Sequence, residues 1–280
     1  MNPHRNTIFL ISFVTLAISH YPIERFFKKA FDLVIPFEKF PKGSAARESK
    51  LQMLGERAFR FIHYTGRTPV LYWILLSSDF LDRRLGGNYD KPFYYRNYPC
   101  QAVPEYLDSF YIFKIAFHLY ELGNTLVFGR GRADFLEYFL HHLMTWALIH
   151  FSYTLNMIPV GAAIMLLHDL TDIPVTTIKL ITDITNKYLE FSIFFVMLGS
   201  WCYFRLWFFP FKVIARMIEE CYHETVPGMN YSVMNMIIFF LCSLVCLHVF
   251  WAHLMVRSAL RKTKASKHEV ILKDTANRMQ

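Results

Sequence analysis

Long, continuous apolar runs separated by short polar segments dominate the hydrophobic pattern of the chain. An α-helix needs about 20 apolar residues to cross a bilayer, and most of these runs approach that length. Because the runs are continuous rather than alternating, they favour helices over the strands of a barrel. The pattern therefore predicts an all-α polytopic membrane protein with about seven transmembrane helices. The predicted spans are residues 7–20, 54–80, 105–128, 134–157, 160–182, 187–209 and 231–256.

The segments between the spans carry the turn-forming and charged residues. For residues 7–20, we favour a first span over a cleaved signal peptide. Residues 21–53 mix basic side chains with phenylalanine and proline, which is typical of a segment lying on the bilayer surface. A loop broken by glycine and proline follows over 81–104, and Pro210 is predicted to end the sixth span ahead of a loop over 211–230. The predicted parts are an N-terminal span with an interfacial segment (1–53), a transmembrane domain (54–256) and a basic cytosolic tail (257–280).

Composition agrees with a membrane protein and excludes several other classes. The 280 residues are 54% hydrophobic and 18% aromatic, which is typical of a chain with several membrane spans. A net charge of +8 in such a protein indicates basic cytosolic loops rather than nucleic-acid binding. The five cysteines form no CxxC pair and no zinc spacing, so we expect no metal site.

The distribution of basic residues predicts the orientation in the membrane. With the amino terminus in the lumen, seventeen Lys and Arg residues fall on the cytosolic side and seven on the other, which places the carboxyl terminus in the cytosol. Cys100 and Cys221 then lie in lumenal loops and could form a disulfide, although connectivity cannot be read from sequence. The sequon at Asn230 abuts the last span, so we expect it to be unmodified.

Ionisable residues interrupt the fourth and fifth predicted spans. The fourth contains His141 and His142, and the fifth contains His168, Asp169 and Asp172. A carboxylate at the centre of a spanning helix costs roughly 2.5–3.5 kcal/mol, so these groups are predicted to face a polar cavity. In the predicted orientation this cavity opens to the cytosol. Such a cluster indicates a reaction centre or an ion path, and a purely structural role explains it less well.

Short motifs between residues 97 and 210 resemble those of the ceramide synthases, which are members of the TLC-domain family of membrane proteins. The central part, residues 130–182, resembles the Lag motif of that family. The matching pieces are R-x-D-F at 132–135, H-H-x-x-T at 141–145, F-S-Y at 151–153, L-H-D-x-T-D at 167–172, and the flanking NYPCQAVPEY at 97–106 and R-L-x-F-F-P at 205–210.

The resemblance implies a bundle of six helices around a central chamber, preceded by one extra span. It also implies an enzyme of the endoplasmic reticulum membrane that transfers the acyl group of a fatty acyl-CoA to a sphingoid long-chain base, giving (dihydro)ceramide. Membrane lipids and a homo- or hetero-oligomer or small regulatory subunit are the further partners it suggests. Thr171 and Lys114 depart from the family pattern, which we expect to have Ser and Glu or Gln at these positions.

A set of histidines and aspartates is predicted to carry the chemistry. A neutral imidazole can take the proton of the amine or attack the thioester itself, and the sequence leaves both routes open. We favour His141 as the reacting group, because Glu137 four residues before it and Thr145 four residues after it share its helix face. Asp172 is expected to contact the imidazole of His168, and Asp169 is expected to reach the His141 helix. By the resemblance, the predicted catalytic residues are His141, His142, His168, Asp169 and Asp172.

A further set of residues is predicted to bind substrate. Arg130 and Arg132, at the cytosolic mouth, could pair with the phosphates of coenzyme A, although ordinary positive-inside anchors would give the same pattern. The acyl-CoA is expected as a co-substrate rather than as a bound cofactor. The predicted substrate-binding residues are Arg130, Arg132, Asp134, Thr145, Tyr153 and Arg205.

Other classes of protein fit the sequence less well. A haem between two helices would use His142 and His168 as axial ligands, and their acidic neighbours argue against it. A di-iron desaturase would need more histidine boxes than the chain contains. The main alternative is a non-enzymatic TLC-type protein that binds lipid or associates with the translocon. Such a protein would lack the cluster of His168 and the two aspartates.

Overall fold

The computed structural model describes residues 3–278 except 132–134, 224, 225 and 227, and for residues 223 and 262–278 it describes the backbone alone. The described residues form helices joined by loops, without a β-strand among them. Loop 76–106 contains one short 3₁₀ turn, Arg83–Leu85. The helices are α1 (Pro3–Asp32), α2 (Ala45–Leu75), α3 (Leu107–Phe128), α4 (Phe135–Thr154), α5 (Ile158–Ile181), α6 (Lys187–Ser200), a π-helix (Trp201–Ile214), α7 (Ala215–His223) and α8 (Tyr231–Arg278).

These helices confirm the prediction of an all-α polytopic membrane protein. The predicted number of seven spans is not confirmed, because four stretches of helix in the described chain are both long and apolar enough to cross a bilayer. Helix α3, for example, is long enough but contains Asp108, Lys114 and Glu121. The four stretches are Pro3–Asp32, Ile158–Ile181, Lys187–Tyr222 and Tyr231–Arg261.

The first two helices are longer than the apolar pattern predicts. Helix α1 continues through Pro22 to Asp32, so the amino-terminal part of the predicted interfacial segment is helical. The packing of Phe31 against the cluster of Ile35, Leu51 and Leu54 explains this extension, because it buries an apolar side chain of the added turns. Helix α2 begins at Ala45 rather than at residue 54. Ser44 caps this start, because its Oγ accepts a hydrogen bond from the backbone N–H of Arg47.

The prediction that the sixth span ends at Pro210 is wrong. The helix widens into a π-helix over Trp201–Ile214, and Pro210 lies inside it. Proline lacks a backbone N–H and would clash with the preceding turn of an α-helix, whereas the altered hydrogen-bond register of a π-helix accommodates it. At its end the N–H of Ala215 donates to the carbonyl of Pro210. Helix α7 then continues to His223, so the amino-terminal half of the predicted loop is helical.

The last helix is also longer than predicted. Helix α8 continues beyond the apolar run that ends near residue 256 and extends through the basic tail to Arg278. The tail is therefore a continuation of the helix rather than a separate segment of coil.

Helix α5 lies at the centre of the bundle and positions the residues of interest. It packs against α2, α4, α6 and the π-helix, and α4 packs in turn against α3 and α8. At Gly161 the neighbours approach so closely that a Cβ would lie 1.8 Å from the Oη of Tyr111 and 2.6 Å from the Oγ of Ser152. The absence of a side chain at this position therefore brings α3, α4 and α5 into direct contact, close to the predicted cluster.

Candidate active site

Residues of α3, α4, α5 and α8 line one cavity of about 70 Å³. Ligand pockets commonly measure about 300–1,000 Å³, so this volume admits reacting groups rather than a whole lipid substrate. His118 and Lys114 of α3 contribute to the lining, as do apolar side chains such as Leu241 of α8. Six of the residues predicted from the sequence also line it, namely His141, His142, Thr145, His168, Asp169 and Asp172.

The two adjacent histidines of α4 occupy different surroundings. The ring centroids of His141 and His142 lie 5.5 Å apart, with the His141 ring 5.0 Å from that of Trp251 and the His142 ring 4.4 Å from that of Tyr138. The Nδ1 of His141 and the Oγ1 of Thr145 are buried and make no hydrogen bond to any described residue. These two atoms are therefore available to a ligand.

His168 is held in one tautomer by the backbone of its own helix. Its Nδ1 lies 2.8 Å from the carbonyl oxygen of Ile164, which can only accept a hydrogen bond. The proton of the neutral ring consequently sits on Nδ1, and Nε2 retains its lone pair. Nε2 has no hydrogen-bond partner among the described residues. The neutral His168 is thus prepared to accept a proton.

Asp169 pairs with cations from two other helices. The Nζ of Lys114 in α3 lies 2.8 Å from both carboxylate oxygens, and the Nε of Arg67 in α2 lies 3.7 Å from one of them. The prediction that Asp169 reaches the His141 helix is therefore wrong. Lys114, which departs from the expected family pattern, is the direct counter-ion of this carboxylate.

Asp172 does not contact the imidazole of His168, contrary to the prediction. It accepts a hydrogen bond at 2.5 Å from the Nη2 of Arg205, which comes from the π-helix. Arg205 is 2% exposed, and its Nε also donates to the Oγ1 of Thr171 at 2.6 Å. The spacing of Asp172 and His168 suggested a contact, but the guanidinium of Arg205 provides a charged partner that the imidazole does not. Arg205 is therefore a buried partner of α5 and does not line the cavity.

One histidine of this network was not predicted from the sequence. His248 of α8 is fully buried, and its Nε2 lies 3.2 Å from the Nη1 of Arg205. Because a guanidinium only donates, Nε2 accepts and the proton of the neutral ring is on Nδ1. The ring of His248 also lies 5.1 Å from that of His168. An imidazole near the middle of a largely apolar predicted span, which also contains Asn235 and His253, is the signal that could have identified it.

Charged residues of α2 were also missed. The Nε of Arg60 donates at 2.7 Å to a carboxylate oxygen of Glu121, and both side chains are buried. Arg57, Arg60, Tyr64 and Arg67 recur at intervals of three and four residues, so they share one helical face. That periodicity was the available signal for a polar face on this helix.

Four other predicted residues lie away from the cavity or outside the described chain. The hydroxyl of Tyr153 donates to Asp108 at 2.8 Å, and Tyr153 is absent from the lining of the cavity. Arg130 is exposed just beyond the end of α3, where its Nε donates to the carbonyl of Leu126. Arg132 and Asp134 lie outside the described residues.

The described cysteines and metal-binding side chains give two further findings. Cys100 is exposed, Cys221 is buried, and both are free thiols, so the disulfide considered from the sequence is not formed. Within the described part of the chain, no group of three or more His, Cys, Asp or Glu residues is placed to hold a metal ion.

The fold and this cavity define a polytopic helical membrane protein with a buried site of histidines and ion-paired carboxylates. The model of the TLC-domain family (TRAM_LAG1_CLN8) matches residues 54–257. The chain therefore belongs to the TLC-domain family.

Several curated relatives of the chain are named ceramide synthases. The chain is 28% identical over 242 residues to ceramide synthase hyl-1 of Caenorhabditis elegans, covering 83% of this chain and 64% of that protein. It is 33% identical over 178 residues to ceramide synthase 5 of Homo sapiens, covering 62% and 44%. It is 31% identical over 176 residues to ceramide synthase 4 of Bos taurus, again covering 62% and 44%. The chain thus matches between 44% and 64% of the length of these relatives.

Proposed function

We propose that the protein transfers the acyl group of a fatty acyl-CoA to the amino group of a sphingoid long-chain base, giving a (dihydro)ceramide and free CoA. The observation that carries the proposal is the convergence of His141, His142 and His168 on one buried cavity. The segment that contains these histidines lies inside the region matched to the TLC-domain family. The names of the curated relatives support the choice of substrates.

The reaction forms one amide bond and breaks one thioester bond. The amine nitrogen attacks the carbonyl carbon of the thioester, the C–S bond breaks, and CoA leaves with its sulfur. A neutral imidazole takes the proton that the nitrogen loses. In the second route, an imidazole nitrogen attacks first, holds the acyl group and passes it to the amine. His141 is our choice for the reacting group in either route, since its Nδ1 is buried, lies at the cavity and makes no hydrogen bond to a described residue.

The other polar residues of the cavity hold and orient this centre. His168 keeps its proton on Nδ1, so its Nε2 can receive a proton from the amine or relay one to the departing thiolate. The Arg205–Asp172 pair fixes the π-helix against α5, and Arg205 also bonds the carbonyl of His168 at 3.1 Å. These contacts limit the movement of the imidazole relative to the α4 histidines, which is what positioned acid–base chemistry requires.

The proposed location is the endoplasmic reticulum membrane, with the amino terminus in the lumen and the carboxyl terminus in the cytosol. The excess of Lys and Arg on one side of the predicted spans supports this orientation. The reacting groups of both substrates enter the cavity from the cytosolic side, while their hydrocarbon chains stay in the lipid. Arg130, exposed near the end of α3, is then available to the phosphates of coenzyme A.

The proposal is tested by incubating the purified protein, in lipid nanodiscs, with a series of fatty acyl-CoAs and sphinganine, and resolving the products by mass spectrometry. We expect one N-acylated base per released CoA. A sphingoid analogue whose amine is replaced by a hydroxyl serves as the control acceptor and should yield no amide. Binding of these lipids without any release of CoA would instead support the non-enzymatic alternative.

A further inference from the structure

Two buried cations share a single carboxylate beside the cavity. The Nζ of Lys114 lies 2.8 Å from both oxygens of Asp169, and Lys114 is 1% exposed. Arg67 approaches the same carboxylate from α2, but its Nε stays 3.7 Å from the nearer oxygen, which is too long for a hydrogen bond. Asp169 therefore compensates the charge of Lys114 fully and that of Arg67 only in part.

The guanidinium of Arg67 has unused hydrogen-bonding capacity. Its Nε, Nη1 and Nη2 are all buried, and none makes a hydrogen bond to a described residue. Its carbon lies 3.6 Å from the ring centroid of Phe117, a cation–π contact that offers attraction but accepts no N–H in the manner of an oxygen. Five N–H donors in an apolar surrounding are a costly arrangement unless an acceptor comes close.

The charges around the cavity do not cancel. Asp172 is taken by Arg205, so that pair is neutral. Asp169 faces both Lys114 and Arg67, and neither cation has a second carboxylate within ion-pair distance among the described residues. With neutral histidines, the lining and its immediate backing hold three cations and two anions, and so a surplus of one positive charge. A buried charge that is not fully compensated is destabilising, which favours a ligand that supplies a second anion.

We propose that the cavity contains a binding site for the carboxylate of a long-chain fatty acid, with Lys114 as its direct partner. The carboxylate of the ligand pairs with the ammonium of Lys114. Asp169 then moves the short distance needed to accept a hydrogen bond from Arg67. Apolar side chains of the lining, such as Met165, Ile237 and Leu241, receive the first methylene groups of the ligand. The rest of the chain lies in lipid, because the cavity of about 70 Å³ cannot contain it.

This ligand class follows from the two kinds of surface in the cavity. A small inorganic anion would satisfy the charge but leave the apolar lining unused, and a fatty alcohol would fill the apolar part but leave the charge surplus in place. A long-chain quaternary amine would add a second uncompensated cation. Binding of the carboxylate requires no turnover, so the inference can be tested apart from the proposed acyl transfer.

The test measures equilibrium binding of radiolabelled hexadecanoate to the purified protein in nanodiscs of uncharged lipid at pH 8, where the carboxylate is ionised. Hexadecan-1-ol and hexadecyltrimethylammonium, matched in chain length, are the competitors. We expect saturable binding of one hexadecanoate per chain. Either competitor should displace it at least about tenfold more weakly than unlabelled hexadecanoate does, because the competitors lack the charge-assisted hydrogen bond to Lys114. Displacement by the alcohol as strong as that by the acid would overturn the proposal.

A pair of variants locates the site. Lys114→Met removes the surplus charge and leaves Arg67 to pair with Asp169, so we expect folded protein with at least about tenfold weaker hexadecanoate binding. Lys179→Met makes the same change on α5 at an exposed position away from the cavity and should bind as the unmodified protein does. Native affinity in a folded Lys114→Met variant would place the carboxylate elsewhere and refute the assignment. If that variant does not fold, the competition on the unmodified protein still decides the question.

Discussion

Arg205 connects more of the site than any other residue predicted from the sequence. Its guanidinium contacts Asp172, Thr171 and the carbonyl of His168 on α5, and the imidazole of His248 on α8. These contacts use its Nε, Nη1 and Nη2, so the buried charge is compensated in the folded protein. Removing the carboxylate of Asp172 would leave the guanidinium charge in an apolar surrounding. Replacing both Asp172 and Arg205 would not.

The first prediction concerns this pair. Asp172→Asn keeps the size of the side chain but removes its charge, so we expect the free energy of unfolding to fall by about 3–5 kcal/mol together with a large loss of turnover. Thermal unfolding in detergent measures the stability, and CoA release measures turnover. The double variant Asp172→Asn with Arg205→Leu should recover part of the stability but not the activity. Unchanged stability in Asp172→Asn would show that the buried ion pair contributes little.

The limits of the sequence are clearest at Asp169 and Asp172. Helical spacing showed that both lie in an apolar span, which was sufficient to predict that they face polar surroundings. It could not show which helices pack against which face, and therefore could not identify Lys114 or Arg205 as their partners. The convergence of the two histidine-containing segments could be predicted, because they are consecutive and joined by a short connection. His248 and Arg67 could not be placed, since they are distant in sequence from that segment.

At the scale of single helices, close packing of α3, α4 and α5 sets the distance between the two groups of histidines. Gly161 is the position where this packing leaves no room for a side chain. In the π-helix, Pro210 shows a second effect that the sequence did not reveal. This proline predicted a helix end, but the wider turn of the π-helix accommodates it. The sequence pattern identified the apolar runs, but it did not show the packing contacts that extend the helices beyond them.

The second prediction uses this contact. Gly161→Ala would place a Cβ 1.8 Å from the Oη of Tyr111 and 2.6 Å from the Oγ of Ser152, so these hydrogen-bonded side chains or the helices that carry them must shift. Overpacking of this kind costs about 1–3 kcal/mol, and we expect a lower melting temperature and a loss of acyl transfer. Gly123→Ala in α3 is the matched control, since a Cβ there meets no atom within 4 Å. Equal stability of the two variants would contradict the packing described for Gly161.

At the scale of the whole molecule, an ionic contact joins the start of α2 and the loop before it to the connection between α5 and α6. The carboxylate of Asp183 accepts hydrogen bonds from Lys39 and Lys50, the latter at 3.0 Å. Burial, the largest single influence, raises the pKa of this carboxyl, but the two lysines together outweigh it and hold the pKa below its ordinary value of 3.8. This contact tethers distant parts of the chain at one end of the bundle.

The third prediction is a pH dependence of this tether. Because the folded state lowers the pKa of Asp183, the stabilisation is fully present above the ordinary pKa of 3.8 and is lost as the pH falls through the lower value in the folded state. We therefore expect Asp183→Asn to unfold more easily than the unmodified protein at pH 7, with the difference shrinking below pH ~3.8. Asp183 has a positive φ of 72°, which asparagine tolerates, so the substitution changes the charge without straining the backbone.

Asp90→Asn, in the exposed pair with Arg83, provides the comparison for this experiment. It should change stability little at any pH, because exposed ion pairs contribute about 0–1 kcal/mol. A difference between Asp183→Asn and the unmodified protein that grows on acidification would show that the sign of the effect is wrong.

The proposed place of acyl transfer is the cavity lined by the histidines of α4 and α5. The most direct test compares N-acyl-sphinganine formation by the unmodified protein with that of His141→Ala, His142→Ala and His150→Ala in nanodiscs, after thermal unfolding has confirmed that each variant is folded. All three histidines lie on α4, but His150 stacks on Trp146 and does not line the cavity. We expect product formation to be abolished in the variants of His141 and His142, and to continue in His150→Ala. Full activity in both cavity variants would contradict the assignment of the reaction to this site.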